Sequence, residues 1–431
     1  MARSLFAVAE RRIQGVQDLI QSLLDSDIPY ENIRHALQTK REEFKLIEAE
    51  LYETAETGNS DLLVAFVNST LLSANDALRP LGTIERACNY DAAFEIQAPL
   101  LRLIRRCLNA DSAKLILFYE WLASPHTVLY PNEQGAEFVW VGMPITESKN
   151  PLVIPLAAHE LAHNIWRVRD DEANRLKVSV LTSLTALLNG KYKQQIKDLF
   201  DIDDAEAVLR QSNFFTTPLA PILNNAYRQI EEVFCDQFGL CIFGRSYLLA
   251  FRHLLEPNAG PRSPIYPTNQ QRISYQLYAA QQLGVVVPDD YSDSFAPSES
   301  PYSDRDQLRL DIADEAVAQI APDAFKIARS IANEGGEACD SWNSEQAKEY
   351  EFFKRGLPAL KSRSLATIVD AAWRRYEEIL SHEKTTEASD QSTSQKSFEQ
   401  KLKQTNNLFE ITLKTLEVFE LEQIQKEVKV A

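Results

Sequence analysis

Apolar residues recur every three or four positions along most of this chain, the pattern of helices that bury one face. The segments 5–25 and 30–56 carry such stripes and are separated by Asp27-Ile28-Pro29, which predicts a helical hairpin. Further helices are predicted at 60–79, 93–109, within 152–283, and at 306–333, 344–355 and 365–384. Only Lys114–Glu120 and 137–142 have the aromatic and β-branched composition of strands. The chain is therefore expected to be mainly α-helical with a small sheet.

Polar and Pro/Ser-rich stretches divide the chain into segments. They predict a helical N-terminal region at 1–136, a core at 137–283, a linker at 284–305, a helical region at 306–384, a flexible segment at 385–396 and a C-terminal helix at 397–431. The apolar face of that last helix, from Phe398 to Leu421, has two alternative uses. It docks on the body of the same chain, or the terminal helices bind a regulatory protein partner.

Composition limits the partners and the location of the chain. The 431 residues contain 45 Lys and Arg against 62 Asp and Glu, a formal charge of −17, so binding to nucleic acid is not expected. No run approaches the roughly 18 apolar residues of a membrane helix, and the N-terminal apolar stretch is too short for a signal peptide. The five cysteines lack the spacing of a disulfide framework or a CxxC knuckle. We expect a cytoplasmic protein with reduced cysteines and no membrane insertion.

One motif carries specific chemistry, the HExxH sequence from His159 to His163. Residues four apart share a helix face, so both imidazoles can point at one zinc ion about 2.0–2.1 Å away. Glu160 lies on a neighbouring face, where it can reach a metal-bound water. Zinc lowers the pKa of that water toward about 7, and a carboxylate removes its proton as it attacks a carbonyl. The alternative is a buried helix with two hydrogen-bonded core histidines.

A candidate third ligand lies in the segment 228–240. Glu232 and Asp236 are four residues apart, hence on one face of a helix that its apolar residues mark as buried. Two buried carboxylates need partners. Zinc would satisfy Glu232, and Asp236 could accept the outer N–H of a zinc-binding histidine. The alternative is an acidic surface shared with Glu231 or paired with Arg228, and Cys235 between the two carboxylates is interpreted as a packing residue.

A third segment, 262–273, leads from a Pro-rich loop into a helix. Thr268 and Gln271 have the spacing of a capping box, which predicts a helix start at Thr268. Tyr266 then lies just before the helix, where its phenol can hydrogen-bond an oxyanion. Arg272, on the first full turn, can orient either an active-site carboxylate or the substrate chain. His253 is a rival oxyanion donor.

Taken in order, these motifs resemble the gluzincin metallopeptidases, most closely the CaaX prenyl protease and heat-shock membrane protease family. In that family HExxH precedes a Glu-x-x-x-Asp helix and then a His-Pro-(Ser/Thr)-x-x-x-Arg-Ile segment. The resemblance covers roughly residues 137–283 and implies an α+β zincin core between helical extensions. It also implies zinc bound by His159, His163 and Glu232, with Glu160 as general base. Asp236 would not bind the metal but would hydrogen-bond a zinc-binding histidine.

Two departures limit what the resemblance implies. Tyr266 stands where the family has histidine, so a neutral phenol would stabilise the transition state. The family's membrane helices are also absent, so prenylated or membrane-embedded substrates are not implied. The expected protein is a relative without membrane spans that hydrolyses peptide bonds of a protein or peptide substrate.

Three alternatives remain open from the residues. The segment 137–142 is either an edge strand that pairs with an extended substrate or an interior strand. A different class of function is a zincin-derived interaction module in which the metal is structural or absent. A third is a protease kept latent by its own helices or by a partner.

Overall fold

A computed structural model describes residues 2–26, 31–89, 94–120, 125–127, 138–209, 216–255, 262–295, 302–336, 339, 344–381 and 391–430. Within these ranges the fold is mainly α-helical with a small three-stranded sheet, which confirms the predicted fold class. None of the described helices has an apolar stretch sufficient to cross a bilayer.

The chain forms two compact units. Unit 1 comprises Met1–Ala93 and Lys114–Ser148, and unit 2 comprises Phe94–Ala113 and Lys149–Ala431. These units divide the chain differently from the segments expected from the sequence. The first part of segment 137–283, up to Ser148, belongs to unit 1, whereas the three motifs of the sequence analysis and the C-terminal helices belong to unit 2.

Unit 1 consists of three helices and the sheet. The helices are α1 (Ala2–Asp25), α2 (Glu31–Glu56) and α3 (Ser60–Asn89), and the strands are β1 (Lys114–Glu120), β2 (His126–Thr127) and β3 (Phe138–Pro144). The predicted break at 27–29 lies outside the described residues. α3 continues ten residues beyond its predicted end, through Pro80. The apolar stripes of the helices form one core with β1 and β3, in which Ile13, Leu37 and Ile116 are fully buried.

The sheet has the order β1-β3-β2. β3 pairs in parallel with β1, Leu115 opposite Val139, and antiparallel with β2, Thr127 opposite Val141. Within the described sheet β3 lies between β1 and β2, which is the interior alternative of the two expected for segment 137–142. Its composition explains this position, because β3 is buried along almost its whole length and its β-branched and aromatic residues fill both faces.

Unit 2 is built around a buried central helix. Its helices are α4 (Phe94–Leu108), α5 (Ile154–Val168), α6 (Asp170–Asn189), α7 (Lys193–Phe200), α8 (Ala205–Leu209), α9 (Ala220–Phe243), α10 (Arg245–Leu255), α11 (Asn269–Leu283), α12 (Asp304–Glu334), α13 (Ser344–Lys354), α14 (Leu365–Ser381) and α15 (Gln391–Val430). α9 packs against α5, α6, α10, α11 and α12, and its last three turns, Glu232–Phe243, are buried on every side. Such a helix is apolar all round except where polar groups have partners.

Two segments were predicted to be irregular. The described residues of 284–303 form turns and coil with one short 3₁₀ turn at Ser292–Ser294, and Ser303 caps α12. The helix α15 begins at Gln391, so 391–396 are helical, whereas 385–390 lie outside the described residues. α15 packs on α4 and α14 and buries Leu408 and Leu416. This is the alternative in which the last helix docks on the same chain.

Candidate metal centre

The first wall of the site is the N-terminal half of α5. Asn150 caps the short turn Pro151–Val153 by accepting a hydrogen bond from the amide of Leu152 at 3.0 Å, and this turn leads directly into the helix. Most residues of α5 are apolar and buried, and they hold the HExxH residues inside unit 2. The ring centroids of His159 and His163 are 5.1 Å apart, because the two residues are separated by one helical turn.

The second wall is α9, which brings Glu232 to both imidazoles. His159 Nε2 is 3.2 Å from Glu232 Oε2, and His163 Nε2 is 3.6 Å from Glu232 Oε1. Ligands about 2.0–2.1 Å from a tetrahedral zinc ion are about 3.3–3.4 Å from one another. The two histidine–carboxylate separations are therefore close to those between ligands of one zinc ion.

The donor atoms also have the chemistry that a cation needs. Glu232 Oε2 is buried and accepts no hydrogen bond from the described residues, although an imidazole nitrogen faces it. The carboxylates of Glu160, Glu231, Glu232 and Asp236 surround the two imidazoles and the guanidinium of Arg272. Buried carboxylates need paired charge, so a divalent cation fits this set of residues.

The outer nitrogen of each histidine is held by a carboxylate from α9. Asp236 Oδ1 lies 3.0 Å from His159 Nδ1, the contact predicted for Asp236. Glu231 Oε1 lies 2.8 Å from His163 Nδ1, a contact that the sequence did not predict, since Glu231 entered only the alternative of an acidic surface. With both Nδ1 atoms engaged, the two Nε2 atoms remain for a metal.

Asp236 is itself fixed by a buried network. Arg272 donates from Nε to Oδ2 at 2.8 Å and from Nη2 to Oδ1 at 2.7 Å, and its guanidinium lies between the rings of Phe251 and Tyr266. Of the two roles predicted for Arg272, this geometry is that of orienting an active-site carboxylate. Tyr247 donates a further hydrogen bond to Asp236 Oδ1 at 2.7 Å.

Tyr247, on α10, is a site residue that the sequence interpretation did not identify. Its ring lies against the backbone of Gly239, where a Cβ would come within 2.3 Å of a ring carbon. A glycine inside a helix weakens it by about 1 kcal/mol relative to alanine, so its presence indicates close approach by another group. Gly239, less than one turn after Asp236, was therefore the available signal for this contact.

The third predicted segment also reaches the site. Thr268 caps α11 through the predicted capping box, Thr268 Oγ1 accepting from the amide of Gln271 and the Gln271 side chain accepting from the amide of Thr268. Tyr266 precedes this cap, is 38% exposed, and stacks on Arg272. His253, the rival donor, is instead exposed on α10 and packs its ring edge-on against Trp373.

The charges of the site shift the pKa values of its groups. The carboxylate of Glu232, together with burial, raises the pKa of Tyr266, so this phenol stays protonated at neutral pH. Burial opposes a charge on His159, but the neighbouring carboxylates of Asp236 and Glu232 outweigh it and raise its pKa to about 10. Burial also opposes the charge of Asp236, and Arg272 and His159 nevertheless hold its pKa well below the ordinary value. Metal binding at neutral pH would therefore displace a proton from His159.

Cys235 offers an alternative donor. Its thiol and one nitrogen of each histidine lie within 4.8 Å of one another. However, the thiol is fully buried, and burial raises its pKa well above the ordinary value, whereas metals bind the thiolate. The Glu232 carboxylate, with a lowered pKa, is the better third ligand on this chemistry.

Comparison with known proteins adds no family assignment. The chain matches no family model, no curated protein and no solved structure. The resemblance to gluzincins therefore depends on the three motifs and on the geometry that unit 2 gives them.

Proposed function

We propose that this protein is a zinc-dependent metallopeptidase. The observation that carries the proposal is the convergence of His159 Nε2, His163 Nε2 and the Glu232 carboxylate at separations of 3.2 and 3.6 Å. These three residues hold the metal. When bound, zinc supplies Lewis acidity, which makes water a nucleophile at neutral pH and polarises a carbonyl.

The protein's own residues supply the proton transfers. Glu160 is buried next to His159, and its charge reaches both histidines and Tyr266. Its carboxylate takes the proton of the attacking water and delivers it to the nitrogen of the leaving amine. The protonated phenol of Tyr266 donates to the oxyanion that forms on the scissile carbonyl.

The remaining polar residues fix the orientation of these groups. Arg272 and Tyr247 hold Asp236, and Asp236 holds the outer nitrogen of His159. Because Arg272 donates two hydrogen bonds to Asp236, groups other than Arg272 bind the substrate. The substrate we propose is a protein or peptide chain. We also propose a cytoplasmic location, for which buried thiols such as Cys235 and Cys241 are suited.

The test is a Glu160→Gln variant, which preserves side-chain volume while removing the base. We expect it to keep its zinc and its circular dichroism spectrum but to lose peptide-library cleavage by a factor of about 10²–10⁴. Wild-type cleavage should stop on addition of a chelator and return with zinc. Full cleavage by the variant, or cleavage by the wild type in the presence of a chelator, would contradict the proposal.

The position of Cys235 near both histidines favours a second candidate function, an interaction module with a closed structural zinc site. A structural site uses four protein ligands, whereas a catalytic one keeps an open position. Cobalt-substituted protein separates the two, since a thiolate ligand gives an intense near-ultraviolet charge-transfer band. The peptidase proposal predicts that this band is absent and that Cys235→Ser binds zinc as tightly as the wild type. A thiolate band that is lost in Cys235→Ser would favour the structural site.

A further inference from the structure

The two histidines of the site are supported in different ways. His159 Nδ1 faces Asp236, which is almost completely buried and held by Arg272 and Tyr247. His163 Nδ1 faces Glu231, whose side chain is 29% exposed. Glu231 is outside the Glu232-to-Asp236 pattern, so the motif gives it no role.

The position of Glu231 follows from the register of α9. Consecutive residues on an α-helix point about 100° apart. Glu232 points at the space between the Nε2 atoms, and Glu231 therefore reaches the outer side of His163, one residue earlier on the same helix. Its Oε1 is 2.8 Å from His163 Nδ1, the separation of a charge-assisted hydrogen bond.

This contact determines which nitrogen of His163 is available. A carboxylate accepts but does not donate, so Nδ1 carries the hydrogen when it bonds Glu231. The neutral ring then presents the lone pair of Nε2, the atom that lies 3.6 Å from Glu232 Oε1. The opposite tautomer would point a hydrogen at the Glu232 carboxylate and would leave no lone pair for a metal on that side.

We infer that Glu231 is a positioning residue that fixes the Nδ1–H tautomer of His163 and thereby strengthens zinc binding. The inference rests on the proposed zinc site. Carboxylates that support metal-binding histidines change metal affinity about 10–100-fold when they are replaced. Glu231 is itself partly exposed, and the partner that its loss leaves behind is an imidazole that can become neutral, so its effect on zinc can be separated from an effect on folding.

The test compares Glu231→Ala, Glu231→Gln and Glu315→Gln with the wild type. Glu315 is the control because its side chain has nearly the same exposure, 30%, but it pairs with Lys191 and Tyr192 instead of a histidine. Zinc affinity is measured by competition with a chromophoric chelator, and the His163 tautomer by ¹⁵N NMR of the zinc-free protein, above the pH at which the imidazole loses its charge. We expect Glu231→Ala to weaken zinc binding about 10–100-fold. Glu231→Gln, whose amide oxygen still accepts from Nδ1, should recover part of the loss, and Glu315→Gln should bind as the wild type does.

The possible failures are distinct. If the wild type binds zinc and Glu231→Ala binds it equally well with an unchanged tautomer, the role of Glu231 is overturned and the proposed function stands. If the wild type binds no zinc, both are overturned. A loss in Glu231→Ala that Glu315→Gln reproduces would mark a general electrostatic effect and would also overturn the inference.

Discussion

Asp236 contacts three other side chains of the candidate centre. It accepts hydrogen bonds from Arg272 and Tyr247 and faces His159, while it is only 2% exposed. Burial makes each of these bonds strong and makes the loss of a partner costly. The same carboxylate thus joins elements of unit 2 and orients His159, a metal ligand in the proposed function.

We therefore expect Asp236→Asn to destabilise the protein by about 3–5 kcal/mol, because Arg272 is left with an uncompensated buried charge. The matched control is Glu377→Gln, which breaks a two-bond pair with Arg245 whose side chains are about 30% exposed. Exposed pairs contribute about 0–1 kcal/mol. Denaturant unfolding of metal-free protein measures both, and equal losses in the two variants would refute the role assigned to the Asp236 network.

The sequence was informative where residue type and spacing are tied to one chemistry. HExxH, Glu232, Asp236 and the Thr268 capping box follow from helical register, and the structure brings the corresponding side chains together. Glu231 and Tyr247 were missed for a physical reason. Their contacts depend on how α5 and α10 are rotated and placed against α9, which is a property of tertiary packing and not of local spacing.

At the scale of elements, helix docking is decided by which residues of an amphipathic face are covered. Along α15, Leu416 is fully buried, whereas Leu402, two heptads earlier, is 50% exposed. The sequence placed both residues in one apolar stripe. It could not tell which part of the stripe α4 and α14 cover.

Leu416→Ala should therefore destabilise the protein by about 2–5 kcal/mol, since it removes buried methyl groups and leaves a cavity. Leu402→Ala on the same helix should change the free energy of unfolding by less than about 0.5 kcal/mol. Thermal or urea unfolding gives both values. Little or no loss in Leu416→Ala would show that α15 is not docked in solution.

The packing of α10 on α14 predicts a pH dependence. Asp370, on α14, accepts a hydrogen bond from Ser246 at 3.2 Å, and burial raises its pKa to about 6 in the folded protein. An unfolded aspartate has a pKa of about 3.9. Between these values the folded state holds a proton that the unfolded state has lost, so this contribution to stability is present at low pH and disappears as the pH rises through 6.

Asp370→Asn stays neutral and keeps an oxygen that accepts from Ser246. Relative to the wild type, the variant should gain about 1 kcal/mol in the free energy of unfolding between pH 5 and pH 7.5. Urea unfolding of both proteins at the two pH values measures this difference, in which the titration of other groups cancels. A pH-independent difference would contradict the raised pKa of Asp370.

At the scale of the whole chain, the described site residues all belong to unit 2. The mainly α class and the small sheet were predictable from periodicity and composition. The assignment of β3 to unit 1 could not be predicted from the sequence, because strand pairing joins residues distant in sequence and leaves no local signal. The proposed function requires one property of unit 2, namely that it binds one metal ion.

The most direct measurement of that property is the zinc content of the purified chain by elemental analysis, for the wild type, His159→Ala, His163→Ala and His253→Ala. His253 is the control because it is an exposed histidine of the same unit that packs on Trp373. We predict about one zinc per chain in the wild type and in His253→Ala, and less than a tenth of that in the other two variants after dialysis. Zinc that remains in both His159→Ala and His163→Ala, or a wild type that binds none from a zinc-containing buffer, would contradict the account.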